Sequence, residues 1–143
     1  MKRLLAFFTF ALLAACASKT LPPAKDDSLY QALGQKPGIT RIVEGMLINV
    51  AKDERINAHF RKVDPGLLRD KLVEKFCVEA GGPCTYTGAD MAEAHKGQRI
   101  DPSEFNALVE ELIKSMDAQH VPVPAQNRLL ARLAAQRGEV MGK

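Results

Sequence analysis

The chain has 143 residues, with 20 Lys or Arg against 17 Asp or Glu and a formal net charge of +3. That near balance, without a clustered basic face, excludes a nucleic-acid footprint, and the length suits one domain. Apolar residues make up 46% of the chain but aromatics only 6%, with no tryptophan, so the expected core is aliphatic.

The chain opens with Met1-Lys2-Arg3, then an apolar run from Leu4 to Ala15 broken only by Thr9, then Cys16. A positive n-region, a short h-region and a small-residue cleavage site read as a secretory leader over residues 1–15. The run is too short for a resident membrane helix, which needs about 20 apolar residues. Leu13-Ala14-Ala15-Cys16 looks like a bacterial lipobox, in which the Cys16 thiol is lipidated and becomes the mature N-terminus. The alternative is an ordinary signal peptide that happens to contain a cysteine. Ala17 and Ser18 stand where an inner-membrane retention Asp would be, so a periplasmic domain anchored to the outer membrane is expected. Loss of Lys2 and Arg3 leaves 18 basic against 17 acidic residues. Residues 16–27 hold Pro22-Pro23 and little that can pack, and read as the lipidated Cys and a tether to a domain over 28–143.

Within that domain the helical period dominates and nothing alternates long enough to be a strand. A short first helix is expected from Asp27 or Ser28 through Leu29, Tyr30 and Leu33, stopping at Gly34. Pro37-Gly38 opens a second helix, with Ile39, Ile42, Val43, Met46, Leu47 and Val50 on its apolar side. Asp64-Pro65 is a start signal, an acidic N-cap before Pro at the first helical position. The stripe that follows, Leu67, Leu68, Leu72, Val73, Phe76 and Cys77, ends at Gly81-Gly82. Asp101-Pro102-Ser103-Glu104 is a second start, with Glu104 where a capping box wants it. Phe105, Leu108, Val109, Leu112, Ile113 and Met116 repeat at helical spacing behind it, until Val121-Pro122-Val123-Pro124 breaks the helix. A last helix is expected from Ala125 to about Arg137, with Leu129, Leu130 and Leu133 as its core face. The fold class is all-α.

Cys77 and Cys84 flank Gly81-Gly82-Pro83, where the chain can fold back and join them in a disulfide, a bond that persists in an oxidising compartment. The alternative is a small buried hydrophobe at Cys77 and an exposed thiol at Cys84. Their short spacing lacks the further ligands of a zinc site. Of three histidines, His59 follows the second helix in a turn and His120 sits at a helix end; both read as surface or capping residues. His95 differs, because Met91, Ala92 and His95 share one face of a short segment. By itself that pattern is more often a structural histidine than a ligand. No Ser-His-Asp order or paired-carboxylate constellation makes His95 a general base.

Leu29-Tyr30 with Gly34, Phe60, Gly81-Gly82-Pro83 with Tyr86-Thr87-Gly88, Met91 with His95, then Ile100, Phe105 and Val121-Pro122 together form a specific pattern. It resembles that of group I truncated haemoglobins, over nearly all of Leu29 to about Val140. The resemblance implies a truncated two-over-two globin fold holding haem b. It implies that His95 is the proximal iron ligand, its ring orientation fixed by a backbone partner. Phe60 matches the aromatic against the porphyrin face, and Met91, Ile100 and Phe105 match residues lining the haem cavity. Lys71 matches a position from which a basic residue reaches a haem propionate, the alternative being a solvated helix charge.

The departures bear on function. Many members of that family place a Tyr on the second helix and a Gln on the next to hydrogen-bond dioxygen. Here the Tyr position is Leu47, the Gln position is Leu72 and the intervening distal position is Leu68; with Met46 these make an aliphatic distal pocket. A hydrogen bond involving a charged group contributes about 1.5–3 kcal/mol, or roughly 10- to 150-fold in affinity, so weakened dioxygen retention is expected. The expected function is reversible binding of dioxygen, carbon monoxide or nitric oxide at a five-coordinate iron. The alternatives are a nitric-oxide dioxygenase or peroxidase-like haem enzyme, the former drawing on an unknown reductase, and a haem-free helical lipoprotein for partner binding.

Overall fold

The computed structural model describes residues 26–143. The leader, Cys16 and the tether up to Lys25 lie outside the described residues. Seven α-helices and one 3-10 turn make up the described part: α1 (Ser28–Ala32), α2 (Gln35–Lys52), the 3-10 turn (Asn57–Phe60), α3 (Pro65–Glu79), α4 (Met91–Ala94), α5 (Pro102–Ala118), α6 (Val123–Ala134) and α7 (Arg137–Val140). No strand occurs among the described residues. No described helix is long and apolar enough to cross a membrane.

α2 is the centre of the fold and packs against both α3 and α5, while α6 packs on α1, α3 and α5. Its apolar face, Ile39, Ile42, Val43, Met46 and Val50, is buried as the periodicity predicts, and it meets Met116 of α5, Cys77 of α3 and Leu129 of α6 in one aliphatic core. Fully burying an aliphatic side chain of this size is worth about 1.5–3 kcal/mol, so this cluster rather than helix propensity holds the short helices together.

Two close approaches depend on glycine. A Cβ at Gly38 would collide with the Leu33 carbonyl, so the turn from α1 into α2 can only be this tight without a side chain there. A Cβ at Gly45 would collide with the Ser115 hydroxyl, which donates to the Ile42 carbonyl at 2.6 Å and draws α5 onto α2.

The helix starts are those the side chains dictate. Asp64 accepts from the Leu67 N–H at 2.7 Å, with Pro65 at the first helical position. Asp101 and Glu104 form a complete capping box at α5. Three boundaries differ from the sequence expectation. α2 begins at Gln35 rather than Pro37, because Gly34 in the left-handed region (φ 77°) turns the chain early. Pro37 is then the third helical residue, where no intrahelical acceptor exists for the N–H that proline lacks. The final helix begins at Val123 rather than Ala125 for the same reason, with Pro124 tolerated in the first turn, and ends at Ala134. Residues 137–140 form the separate α7, which packs beside α4.

Cys77 and Cys84 form a disulfide, with their Cα atoms 5.9 Å apart. Cys84 is therefore not a free exposed thiol. The bond fastens the segment after α3 back onto that helix.

Candidate functional site

The chain from Gly81 to Asp90 has no helix of its own and delivers α4, whose N-cap Asp90 accepts from the Glu93 N–H at 2.8 Å. α4 lasts four residues and His95 caps its end. The His95 Nδ1 lies 2.7 Å from the Met91 carbonyl oxygen. A carbonyl can only accept, so Nδ1 carries a proton, and in the neutral ring Nε2 then keeps its lone pair. A short helix end thus presents one imidazole in a fixed tautomer.

His95 lies in the wall of a cavity of about 320 Å3. α3 supplies Leu67, Leu68, Lys71, Leu72 and Lys75, the last four at the i, i+3, i+4, i+7 spacing of one helix face. α2 adds Met46; the 3-10 turn and the residues after it add His59, Phe60 and Val63; α5 and its approach add Ile100, Glu104, Phe105 and Leu108. Tyr86, Gln98 and Val140 complete most of the remaining wall. Phe60, Leu68, Leu72, Ile100, Phe105 and Leu108 are only half-buried, although each is large and apolar. Water is a poor neighbour for such a wall, and an apolar occupant would remove the remaining surface from it.

The polar lining residues are committed to protein partners. His59 Nε2 lies 2.9 Å from Glu104 Oε1, and Glu104 Oε2 accepts from the Asp101 N–H at 3.0 Å. Those two contacts, the Asp101 N–H first and His59 second, hold the Glu104 carboxyl below its ordinary range. Lys71 Nζ donates to Glu74 Oε2 at 3.2 Å and also to the Thr87 hydroxyl. Lys75 pairs with Glu79 at 3.1 Å and stands 5.2 Å from the centroid of the Tyr86 ring. The Tyr86 hydroxyl donates to the Ala89 carbonyl at 2.8 Å. Burial, with the nearby charges of Glu74 and Asp90, raises its pKa. Gln98 donates to the Ala94 carbonyl at 3.3 Å.

Of the residues singled out from sequence, the structure brings Met46, Phe60, Leu68, Lys71, Leu72, His95, Ile100 and Phe105 around this one cavity. Met91 and Leu47 are not among its lining residues. Met91 acts through its carbonyl on His95. Leu47 follows Met46 by one residue, about 100° around the helix, so it turns away from the side that Met46 presents and packs on the core. His59 is neither a surface nor a capping residue. Its partner Glu104 is 45 residues distant, a pairing that only the tertiary fold reveals. Lys75, Tyr86, Gln98 and Leu108 are further lining residues that the sequence reading left out. For Lys75 a signal existed, because it extends the 68, 71, 72 spacing by one step. His120 is exposed, as expected.

A largely aliphatic all-helical domain with an imidazole held at a short helix end in the wall of an open apolar cavity is the architecture of a small globin. The chain belongs to the bacterial-like globin family, whose model matches residues 28–141. It is 29% identical over 117 residues to a group 1 truncated haemoglobin of Mycolicibacterium paratuberculosis, covering 82% of this chain and 86% of that protein. The Fe(III) form of truncated haemoglobin from Tetrahymena pyriformis superposes with a TM-score of 0.78 at 26% identity, over 80% of this chain and 98% of that one. The 2/2 haemoglobin of Synechococcus sp. shares the fold with a TM-score of 0.74 at 22% identity, over 79% of this chain and 97% of that one. The fold is the truncated two-over-two globin.

Proposed function

We propose that this domain holds haem b through His95 and binds a diatomic gas reversibly at its iron. The observation that carries the proposal is the His95 ring, locked by the Met91 carbonyl so that an unprotonated Nε2 is the ring atom left for a metal, in the wall of a cavity of half-buried apolar side chains. The residues fit the group. A neutral imidazole with its second nitrogen hydrogen-bonded is the donor that haem iron requires, and the aliphatic and aromatic walls suit a flat apolar ring.

When bound, haem supplies the iron that takes up the gas; everything else is the work of the chain. Met91 orients the His95 ring, and Phe60, Ile100, Phe105 and Leu108 exclude water from it. Met46, Leu68 and Leu72 face the cavity without a donor, so a gas that gains charge on binding receives no stabilising hydrogen bond from them. The second imidazole on the wall, His59, holds Glu104 through its Nε2. Lys71 and Lys75 are the cations on the cavity wall toward which haem carboxylates would turn.

Haemin added to the full-length chain should give a Soret band that His95→Gly abolishes or shifts and that free imidazole restores. A band unaltered by the substitution would refute His95 as the ligand. We further propose that residues 1–15 are a lipoprotein signal and that Cys16 carries a lipid anchoring the domain in the periplasm, with the outer membrane as the destination. The reading is supported by the Leu13-Ala14-Ala15-Cys16 pattern. Radiolabelled palmitate incorporated by the wild type and lost in Cys16→Ser is the expected result; equal labelling would refute it.

A further inference from the structure

His95 is not carried on a long helix packed into the core. It ends a four-residue helix that packs chiefly against α7, and the chain reaches it through ten residues without helix. What fixes that segment is a set of ties to α3. The Cys77–Cys84 disulfide is one. The second is a relay: Lys71 Nζ donates to the Thr87 hydroxyl, that hydroxyl donates to Glu74 Oε2 at 2.8 Å, and the Thr87 N–H donates to the same oxygen at 2.9 Å. From Thr87 the path is short. Tyr86 ties to Ala89, Asp90 caps α4, and the Met91 carbonyl holds the His95 ring. α3 also carries Leu68 and Leu72, so one helix is the ruler for both the gas side and the imidazole side of the cavity.

We propose that Glu74 is a positioning residue for the iron-binding imidazole, acting through Thr87 and in parallel with the disulfide to fix the spacing between α3 and His95. The inference rests on the proposed haem site and adds a role for three residues that never touch the iron. Lys71 belongs to this tie as its counter-ion. The Thr87 N–H, more than any other group, holds the Glu74 carboxyl below its ordinary range, which keeps it an acceptor across the physiological span.

The test uses the haem-loaded full-length chain and two readouts, the iron–histidine stretching band of the ferrous form by resonance Raman and the rate of haem transfer to excess apomyoglobin. Thr87 is exposed, so Thr87→Val should fold as the wild type does. Glu74→Gln and Thr87→Val should each shift the band and speed haem transfer roughly tenfold, the effect of one lost charge-assisted hydrogen bond. Thr87→Ser should restore both, and in a Cys84→Ser background Glu74→Gln should cost more than the two changes multiplied. An unmoved band and transfer rate in Thr87→Val would overturn the positioning role while leaving haem binding intact. A wild-type chain that takes up no haem would overturn both readings.

Discussion

Leu72 stands on the cavity face of α3 between Leu68 and Lys75; in the proposed haem site a polar side chain there would meet a bound gas. Leu72→Gln tests whether the missing donor governs affinity. The two side chains are similar in volume, and Leu72 is only half-buried, so the amide retains access to polar partners when no gas is present. The substitution forfeits part of the apolar burial of one leucine, at most about 1.5–3 kcal/mol for a fully buried one and less here, so the domain should stay folded. Against that, a donor aimed at a ligand that gains negative charge contributes about 1.5–3 kcal/mol. Dioxygen dissociation should therefore slow by roughly 10- to 150-fold, while carbon monoxide dissociation changes far less. The assay is stopped-flow displacement of dioxygen by carbon monoxide, with carbon monoxide displaced by nitric oxide in parallel. Equal slowing of both gases would point to blocked escape rather than a hydrogen bond. No change in either would mean that the donor which matters already comes from elsewhere in the wall, and the argument from an aliphatic pocket would fail.

Gly38→Ala should destabilise the domain by about 1–3 kcal/mol or more, since the added Cβ strikes the backbone carbonyl of Leu33, and that exceeds the roughly 1 kcal/mol that alanine gains in helix propensity; urea denaturation would show no loss if the turn can open freely. Acid should weaken the fold through five carboxylates with depressed pKa values: Asp53, lowered to about 2 chiefly by hydrogen bonds from Arg55, Asp26, lowered first by the Ser28 side chain, and Glu74, Asp101 and Glu104, each lowered first by a backbone N–H. A depressed value in the folded state means that the stabilisation is complete above the unfolded carboxyl range near pH 4 and is lost as pH falls through the folded values. Denaturation midpoints should thus fall progressively from about pH 4.5 toward pH 2, and a midpoint flat across that window would refute the assignment.

Helix identity was legible because it rests on local chemistry: Asp64 and Asp101 name their helix starts, and the apolar spacing of α2 names its buried face. The His95 side of the cavity was legible because its residues lie close together in sequence and match a specific pattern. What the sequence hid was long-range pairing. His59 meets Glu104 across 45 residues, and Glu104 had already been accounted for as a helix cap, so neither advertised a place in the cavity. Lys71 shows the same limit from the other direction. Its position suggested a cation for a haem carboxylate, and the fold keeps it on the cavity wall while adding Glu74 and Thr87 as partners that the sequence did not reveal. The boundary differences at Pro37 and Pro124 share one cause: the first reads as a helix opening and the second as a break, whereas the first turn of a helix tolerates proline beyond its first position.

The state of the cavity's polar groups favours binding over turnover. His59, Lys71, Lys75, Tyr86, Gln98 and Glu104 each hold a hydrogen bond or ion pair with the protein itself. Catalysis on a bound oxygen species needs a proton donor or a polarising group that can be brought to the reacting atom. Each of these six would have to share or exchange an existing contact, and an exchange of partners in a half-buried setting costs about what the new contact returns. His95 is different in kind: its Nδ1 is satisfied by a backbone carbonyl that does not move with side-chain rotation, which leaves Nε2 as the ring atom for the proposed iron. With the proposed haem bound, such a site would leave the gas to the iron's own affinity. That is the behaviour of a reversible binder, and it makes the aliphatic wall, rather than an added polar residue, the determinant of which gas is retained.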